Sequence, residues 1–97
     1  MEAIKINGTG QIPWITLDKK NNVFEFKGPS LPEDAIEFYE PVLEWIESYL
    51  ENPNDKTEVI FKIDYYNTAS SKVIFEILKK FGSLYLSGKD VEIHWYY

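Results

Sequence analysis

The pattern that most constrains the fold is a strand, a helix and a second strand that follow one another after residue 56. Residues 57–65 are rich in β-branched and apolar side chains, which is typical of a buried strand, and residues 91–97 repeat this pattern. The segment between them has one apolar helical face, formed by Val73, Ile74, Ile77, Leu78, Phe81, Leu84 and Tyr85. Two strands that flank a helix pair in parallel through a right-handed crossover. The sequence therefore predicts an α/β fold with a parallel strand pair.

The first half of the chain adds a hairpin and a longer helix. Residues 12–17 and 23–26 are apolar runs separated by a polar turn, which predicts a β-hairpin that ends at Gly28-Pro29. A short strand at 3–7 precedes it. Ser30 and Glu33 form a Ser-x-x-Glu capping box, which predicts a helix that continues to about residue 50, with a kink at Pro41. We expect a single domain over residues 1–97, with a small mixed β-sheet and two main helices packed on one side.

The charge of the chain excludes several classes of partner. Sixteen acids face ten bases, which gives a net charge of −6, and every base is a lysine. Because arginine is the usual residue for bidentate phosphate contacts, neither nucleic acid nor an anionic membrane is expected as a partner. Half of the acids lie between Glu33 and Asp55, where no lysine occurs. A protein partner that contacts this segment is expected to be basic there.

The residues offer little support for catalysis or metal binding. The chain has no cysteine, and its single histidine, His94, is expected to be a packed strand residue rather than a metal ligand. No run approaches the roughly 20 apolar residues of a membrane span, and no apolar leader follows Met1. These features predict a cytoplasmic protein without catalytic residues, cofactor or metal.

The segment 65–72 is the most informative candidate site. It lies between a predicted strand and the start of a predicted helix, where open α/β sheets place ligands. A phosphate attached to Thr68 would meet the unpaired N–H groups of the first helical turn. The alternative is that Asn67 or Thr68 is only a helix cap, because capping residues are common at this position.

The chain resembles the SiaC family of bacterial regulatory proteins. The resemblance rests on Pro32-Glu33, Glu37-Phe38-Tyr39, Pro41, residues 45–50, the block Asn-Thr-Ala-Ser-Ser-Lys at 67–72 with Tyr66 before it, and Trp95-Tyr96-Tyr97. It implies a fold similar to STAS-type anti-sigma-factor antagonists. It also implies that a kinase phosphorylates Thr68 and a phosphatase reverses this, while the unphosphorylated form binds and activates a diguanylate cyclase and so promotes biofilm or aggregation. Family members continue into a helical tail, which this chain is expected to lack.

The resemblance and the predicted helix faces suggest a partner-binding surface around Thr68. Its expected members are Tyr66, Asn67, Ser70, Ser71 and Lys72, together with Phe38 and Tyr39 from the broad apolar arc of the first helix. The other explanation for that arc is that both of its sides pack against the sheet and the second helix.

The residues alone are also compatible with two other functions. The junction at 65–72 is also compatible with a small nucleotide-binding protein or enzyme, although the glycines are scattered and form no phosphate loop. The chain is also compatible with a constitutive structural module, in which Thr68 tolerates substitution.

Overall fold

The computed structural model describes residues 1–96, which form a five-stranded sheet and two helices. In chain order the elements are β1 (Ile4–Ile6), β2 (Trp14–Asp18), β3 (Val23–Ser30), α1 (Ala35–Glu51), β4 (Lys56–Tyr66), α2 (Thr68–Leu86) and β5 (Asp90–Trp95). The spatial order of the strands is the same as their order in the chain. The predicted α/β fold with a mixed sheet is confirmed. The last residue of the strand predicted at 91–97, Tyr97, lies outside the described residues.

The strand pairing changes from antiparallel to parallel in the middle of the sheet. β1, β2 and β3 pair antiparallel, which confirms the hairpin between β2 and β3. β3 pairs with β4 in parallel, and so does β4 with β5. Because both parallel connections are helical crossovers that advance in the same direction, they place α1 and α2 on the same face of the sheet. Within residues 1–96 no helix covers the other face.

One hydrophobic core lies between the helices and the sheet. Its largest members are fully buried: Phe24, Phe26 and Phe61 from the sheet, Tyr39, Ile46 and Tyr49 from α1, and Ile77 and Phe81 from α2. The aromatic rings of Phe26 and Phe61 stack with centroids 4.7 Å apart across the parallel β3–β4 pair. Aromatic side chains bury large apolar areas, so these residues contribute strongly to the stability of the domain.

The broad apolar arc of α1 is used for packing. Tyr49 is fully buried and its hydroxyl lies 2.6 Å from Thr57 Oγ1 in β4. Trp45 Nε1 donates a hydrogen bond to the Glu2 carbonyl, 2.7 Å away, which secures the chain before β1. Pro41 lies within α1 and does not end it. Neither helix of residues 1–96 is apolar enough over a sufficient length to cross a bilayer.

The predicted capping box of α1 is wrong. The N-cap is Asp34, whose Oδ1 accepts a hydrogen bond from Glu37 N at 3.1 Å. Ser30 is instead the last residue of β3, because the strand continues through Gly28-Pro29 with an irregularity in its register. Gly28 makes this possible with a φ of +100°, a conformation that costs other residues energy. The hairpin therefore does not end where the Gly-Pro pair predicted.

Candidate functional site

The junction between β4 and α2 is organised by Asn67. Its side-chain Oδ1 accepts a hydrogen bond from Ser70 N at 2.8 Å, so Asn67 is the N-cap of α2. Its own backbone N–H donates to the Ser30 carbonyl at 3.2 Å, which joins the junction to the end of β3. Its carboxamide nitrogen lies 3.4 Å from the Pro32 carbonyl before α1. The sequence left open whether Asn67 or Thr68 caps the helix, and the structure assigns the cap to Asn67.

Thr68 occupies the first position of α2, and its side chain is exposed. Since Ser70 N–H and Ser71 N–H bond to Asn67, the N–H groups of Thr68 and Ala69 are those left without an intrahelical acceptor. They lie at the positive end of the helix dipole. Lys72 is exposed one turn further along the same side of the helix. This arrangement provides backbone donors and a cation for an anionic group on the Thr68 hydroxyl.

Ser70 does not belong to the exposed surface. It is fully buried, and its Oγ accepts a hydrogen bond from Ser30 Oγ at 2.9 Å. Ser30 Oγ lies 2.6 Å from the hydroxyl of Tyr39, which is also fully buried. Ser70 and Tyr39 were predicted to contact a partner, and the structure instead buries both in a chain of hydroxyl groups between β3, α1 and α2.

The protonation of this hydroxyl chain follows from its geometry. A serine hydroxyl has one proton, and Ser30 gives its proton to Ser70, so Tyr39 must be the donor to Ser30. Burial, the largest cause, raises the pKa of the Tyr39 phenol above its ordinary value. Tyr39 therefore remains a neutral donor.

The other predicted residues have different environments. Tyr66 is exposed and lies beside Ser30 in the β3–β4 register, with its ring edge-on to Trp95 at 6.4 Å between centroids. Ser71 is half-buried, and its Oγ donates to the Thr68 carbonyl at 2.7 Å. Tyr66, Thr68 and Lys72 are therefore accessible at the junction, whereas Ser71 is partly engaged by the helix itself.

Phe38 lines a shallow groove beside the start of α1. The groove has a volume of about 430 Å³ and is lined by Gln11, Ile12, Pro32, Glu33, Asp34, Glu37 and Phe38. Phe38 is half-buried, with its ring edge-on to Tyr39 at 4.8 Å. Through the contact between Pro32 and Asn67 this groove adjoins the junction. Its three carboxylates make it a negatively charged surface.

Sequence reasoning missed a cluster of ionisable side chains on the uncovered face of the sheet. His94 Nε2 lies 3.3 Å from a carboxylate oxygen of Glu58, and Glu92 is paired with Glu58 in the β4–β5 register. Ligand atoms of these three residues lie within 4.8 Å of one another, so they are the residues of 1–96 that could hold a cation. The hydrogen bond and charge of Lys56 hold the pKa of Glu92 below its usual range. Only the strand register reveals the cluster, because Glu58 is more than thirty positions from Glu92 and His94 in the chain.

Comparisons with known proteins agree with one another over nearly the whole chain. A sequence model described as SiaC family regulatory phosphoprotein matches residues 6–97. An uncharacterized protein of Pseudomonas aeruginosa (strain UCBPP-PA14) is 29% identical over 97 residues, which is 100% of this chain and 77% of that protein. The chain is also similar to the crystal structure of apo-SiaC from Pseudomonas aeruginosa, with a TM-score of 0.93 and 29% identity over 100% of this chain and 80% of that one.

A further similar structure contains a partner. It is the crystal structure of the diguanylate cyclase SiaD in complex with its activator SiaC from Pseudomonas aeruginosa. The match has a TM-score of 0.89 and 29% identity, and it covers 97% of this chain and 77% of that chain.

Proposed function

The chain belongs to the SiaC family of regulatory phosphoproteins, and we propose on that basis that it is a non-catalytic adaptor controlled by phosphorylation of Thr68. Its unphosphorylated form binds and activates a diguanylate cyclase, and thereby raises cyclic di-GMP and favours biofilm formation. A kinase adds the phosphate and a phosphatase removes it. Because the kinase consumes ATP and the cyclase consumes GTP, both from the nucleotide pools of the cytoplasm, the proposed place of action is the cytoplasm.

The observation that carries the proposal is the position of Thr68. Its exposed side chain lies on the first turn of a helix capped by Asn67, in a chain whose family consists of regulatory phosphoproteins. A kinase needs access to the hydroxyl group, and exposure provides it. The SiaC activator that forms a complex with the cyclase SiaD has the same fold over nearly all of this chain, which supports a cyclase as the partner class.

The proposed switch needs no large rearrangement. A phosphate on Thr68 adds about −1.5 to −2 charges at pH 7. The unpaired N–H groups of Thr68 and Ala69 and the ammonium group of Lys72 lie where they can stabilise this charge. The helix start then holds the phosphate, and the modified surface repels or sterically excludes the cyclase. The phosphate therefore acts by blocking a contact.

Reconstitution with purified proteins tests this function. The host's full-length diguanylate cyclase is assayed for cyclic di-GMP formation with the wild-type chain, Thr68→Ala, Thr68→Asp and Ser71→Ala as matched control. We expect activation by wild type, Thr68→Ala and Ser71→Ala, and loss of activation with Thr68→Asp or with chain phosphorylated at Thr68. Asp is well tolerated in a first helical turn, so Thr68→Asp should remain folded.

The same experiment separates the competing functions. Activation that is equal for the wild type, Thr68→Asp and the phosphorylated chain would indicate a constitutive module and contradict the switch. Binding of GTP or ATP by the purified chain, abolished by substitutions within 65–72, would instead indicate a nucleotide-binding protein. Intact-mass and peptide mass spectrometry of the chain from its host should locate a single phosphate on Thr68.

A further inference from the structure

The solvent side of α2 carries an ordered row of side chains that begins at Thr68. The residues Thr68, Lys72, Phe75, Lys79 and Leu86 recur at helical spacings of four, three, four and seven, and all are exposed. We call these five residues the α2 stripe. Since a helix rises 1.5 Å per residue, the stripe is about 27 Å long. It lies opposite the buried side of α2, which packs into the core through Val73, Ile77 and Phe81.

The α2 stripe exposes large apolar side chains that the fold does not use. Phe75 is 61% exposed and Leu86 is 86% exposed. The ammonium nitrogen of Lys79 lies 5.6 Å from the centre of the Phe75 ring, so a cation and an aromatic face are presented together. Phenylalanine is depleted at surfaces unless it serves as an interface anchor. Phe75 is thus an anchor candidate in the middle of the stripe.

The charge of α2 differs from that of its surroundings. It contains three lysines and one glutamate, whereas α1 contains five glutamates and no lysine. Lys80 faces α1 and forms an ion pair with Glu47, so it is already neutralised. Lys72 and Lys79 remain on the stripe of a chain whose net charge is −6. An acidic partner is attracted to this stripe and repelled by most of the remaining surface.

We propose that the α2 stripe is the docking surface for an acidic face of the diguanylate cyclase, with an apolar cyclase side chain packed against Phe75. This inference rests on the proposed function and assigns its contact surface. Carboxylates of the cyclase pair with Lys72 and Lys79. The partner face is therefore negative here, in contrast to the basic partner expected at the acidic segment 33–55.

This surface explains how one phosphate at Thr68 controls docking. Lys72 is four residues from Thr68, the spacing at which oppositely charged side chains on a helix pair. Phosphorylation draws the Lys72 ammonium group to the phosphate and adds negative charge at the first end of the stripe. The cyclase carboxylates then lose one cation and meet an anion. Phe75 stays exposed but lacks the charge pairing that orients the partner.

Binding measurements with matched variants test the α2 stripe. The dissociation constant for the host's full-length diguanylate cyclase is measured with Lys72→Glu and Phe75→Ser, at low and high salt. The control for Lys72→Glu is Lys20→Glu, which makes the same charge change in the exposed turn between β2 and β3. The control for Phe75→Ser is Ile36→Ser, which removes a large apolar side chain that is 74% exposed on α1. All four substituted residues are exposed, and circular dichroism and Tm confirm that each variant is folded.

We expect both stripe variants to weaken binding at least about tenfold and both controls to change it by less than about twofold. The wild-type affinity should fall with salt more steeply than that of Lys72→Glu, since one charge pair is lost. If the wild type binds the cyclase and both stripe variants bind equally well, the stripe is not the docking surface while the proposed function stands.

Two other results would overturn the inference in different ways. Failure of the unphosphorylated wild type to bind any diguanylate cyclase of the host would overturn the proposed function, and the stripe assignment with it. Concentration-dependent dimers of the wild type that Lys72→Glu abolishes, seen by light scattering without cyclase, would show that the stripe binds a second copy through its acidic α1. The cyclase assignment would then be wrong.

Discussion

Removal of the central hydroxyl of the buried chain Tyr39–Ser30–Ser70 should destabilise the protein more than removal of either end. Ser30→Ala deletes both hydrogen bonds, of 2.6 and 2.9 Å, and leaves the Tyr39 and Ser70 hydroxyls buried without these partners. Ser70→Ala deletes one bond and leaves Ser30 next to Tyr39. Ser71→Ala is the matched control, because Ser71 is the neighbouring serine on α2 and only half-buried.

The expected magnitudes follow from the number of bonds lost. A buried hydrogen bond contributes about 1 kcal/mol net, and a buried polar group left without a partner costs about 1–3 kcal/mol. Ser70→Ala should therefore lower the free energy of unfolding by about 1 kcal/mol, and Ser30→Ala by about 2–4 kcal/mol. For a domain of this size, each kcal/mol corresponds to a Tm decrease of about 4–8 °C. Ser71→Ala should stay within about 0.5 kcal/mol of wild type.

Urea denaturation followed by tryptophan fluorescence, together with Tm from circular dichroism, measures these differences. The order of destabilisation should be Ser30→Ala, then Ser70→Ala, then Ser71→Ala. A Ser30→Ala variant no less stable than Ser70→Ala would refute the hydrogen-bonded chain. A Ser71→Ala variant as unstable as Ser70→Ala would show that the loss arises from the helix start and not from burial.

Three further predictions concern the cap, the buried phenol and the end of β3. Asn67→Ala should lower the free energy of unfolding, measured by urea denaturation, by about 1 kcal/mol, whereas Asn67→Asp retains a side-chain acceptor for the helix start and should lower it less. An equal loss of stability in the two variants would contradict the capping role of Asn67. Because burial raises the pKa of Tyr39 above 10.0, its contribution to stability is complete below pH 10.0 and is lost as the pH rises through the folded pKa. Above pH 10.0 the wild type should therefore lose more stability than Tyr39→Phe. Urea midpoints of the two proteins that fall in parallel as the pH rises would contradict this prediction. Gly28→Ala should lower the free energy of unfolding by about 1–3 kcal/mol, seen as a lower Tm, because φ is +100° and the new Cβ would lie 3.2 Å from the Trp14 ring. The control Gly10→Ala places its Cβ in open space and should leave the Tm nearly unchanged.

The fold class was predictable because its signals are local and strong. The alternation in β4, the apolar face of α2 and the polar turn between β2 and β3 each occur within a few residues, and they predicted the elements found. The right-handed crossover rule then predicted the parallel pairing of β4 and β5 across α2. The errors lie where a local rule met a distant contact. Ser30 matches a capping box, yet it lies in β3, pairs with Tyr66 of β4 and bonds to Ser70, forty residues away.

The candidate site was predictable in part for the same reason. The cap by Asn67 is a contact over three residues, so capping chemistry predicted it. The burial of Ser70 and Tyr39 depends on how α1 and α2 meet above the end of β3, and helical periodicity cannot decide which of two apolar sides faces solvent when the arc is broad. The cluster of Glu58, Glu92 and His94 requires the strand register, which no local pattern specifies.

The sequence by itself determined the type and order of the helices and strands, the net negative charge of the chain, a helix start at Asn67 or Thr68, and the family resemblance. Only the tertiary structure decided which hydroxyls are buried, which carboxylates meet across β4 and β5, and that α2 turns Lys72, Phe75 and Lys79 to solvent together. The physical reason is range. Propensity, periodicity and capping act between residues a few positions apart, whereas burial and register depend on the packing of elements that are distant in the chain.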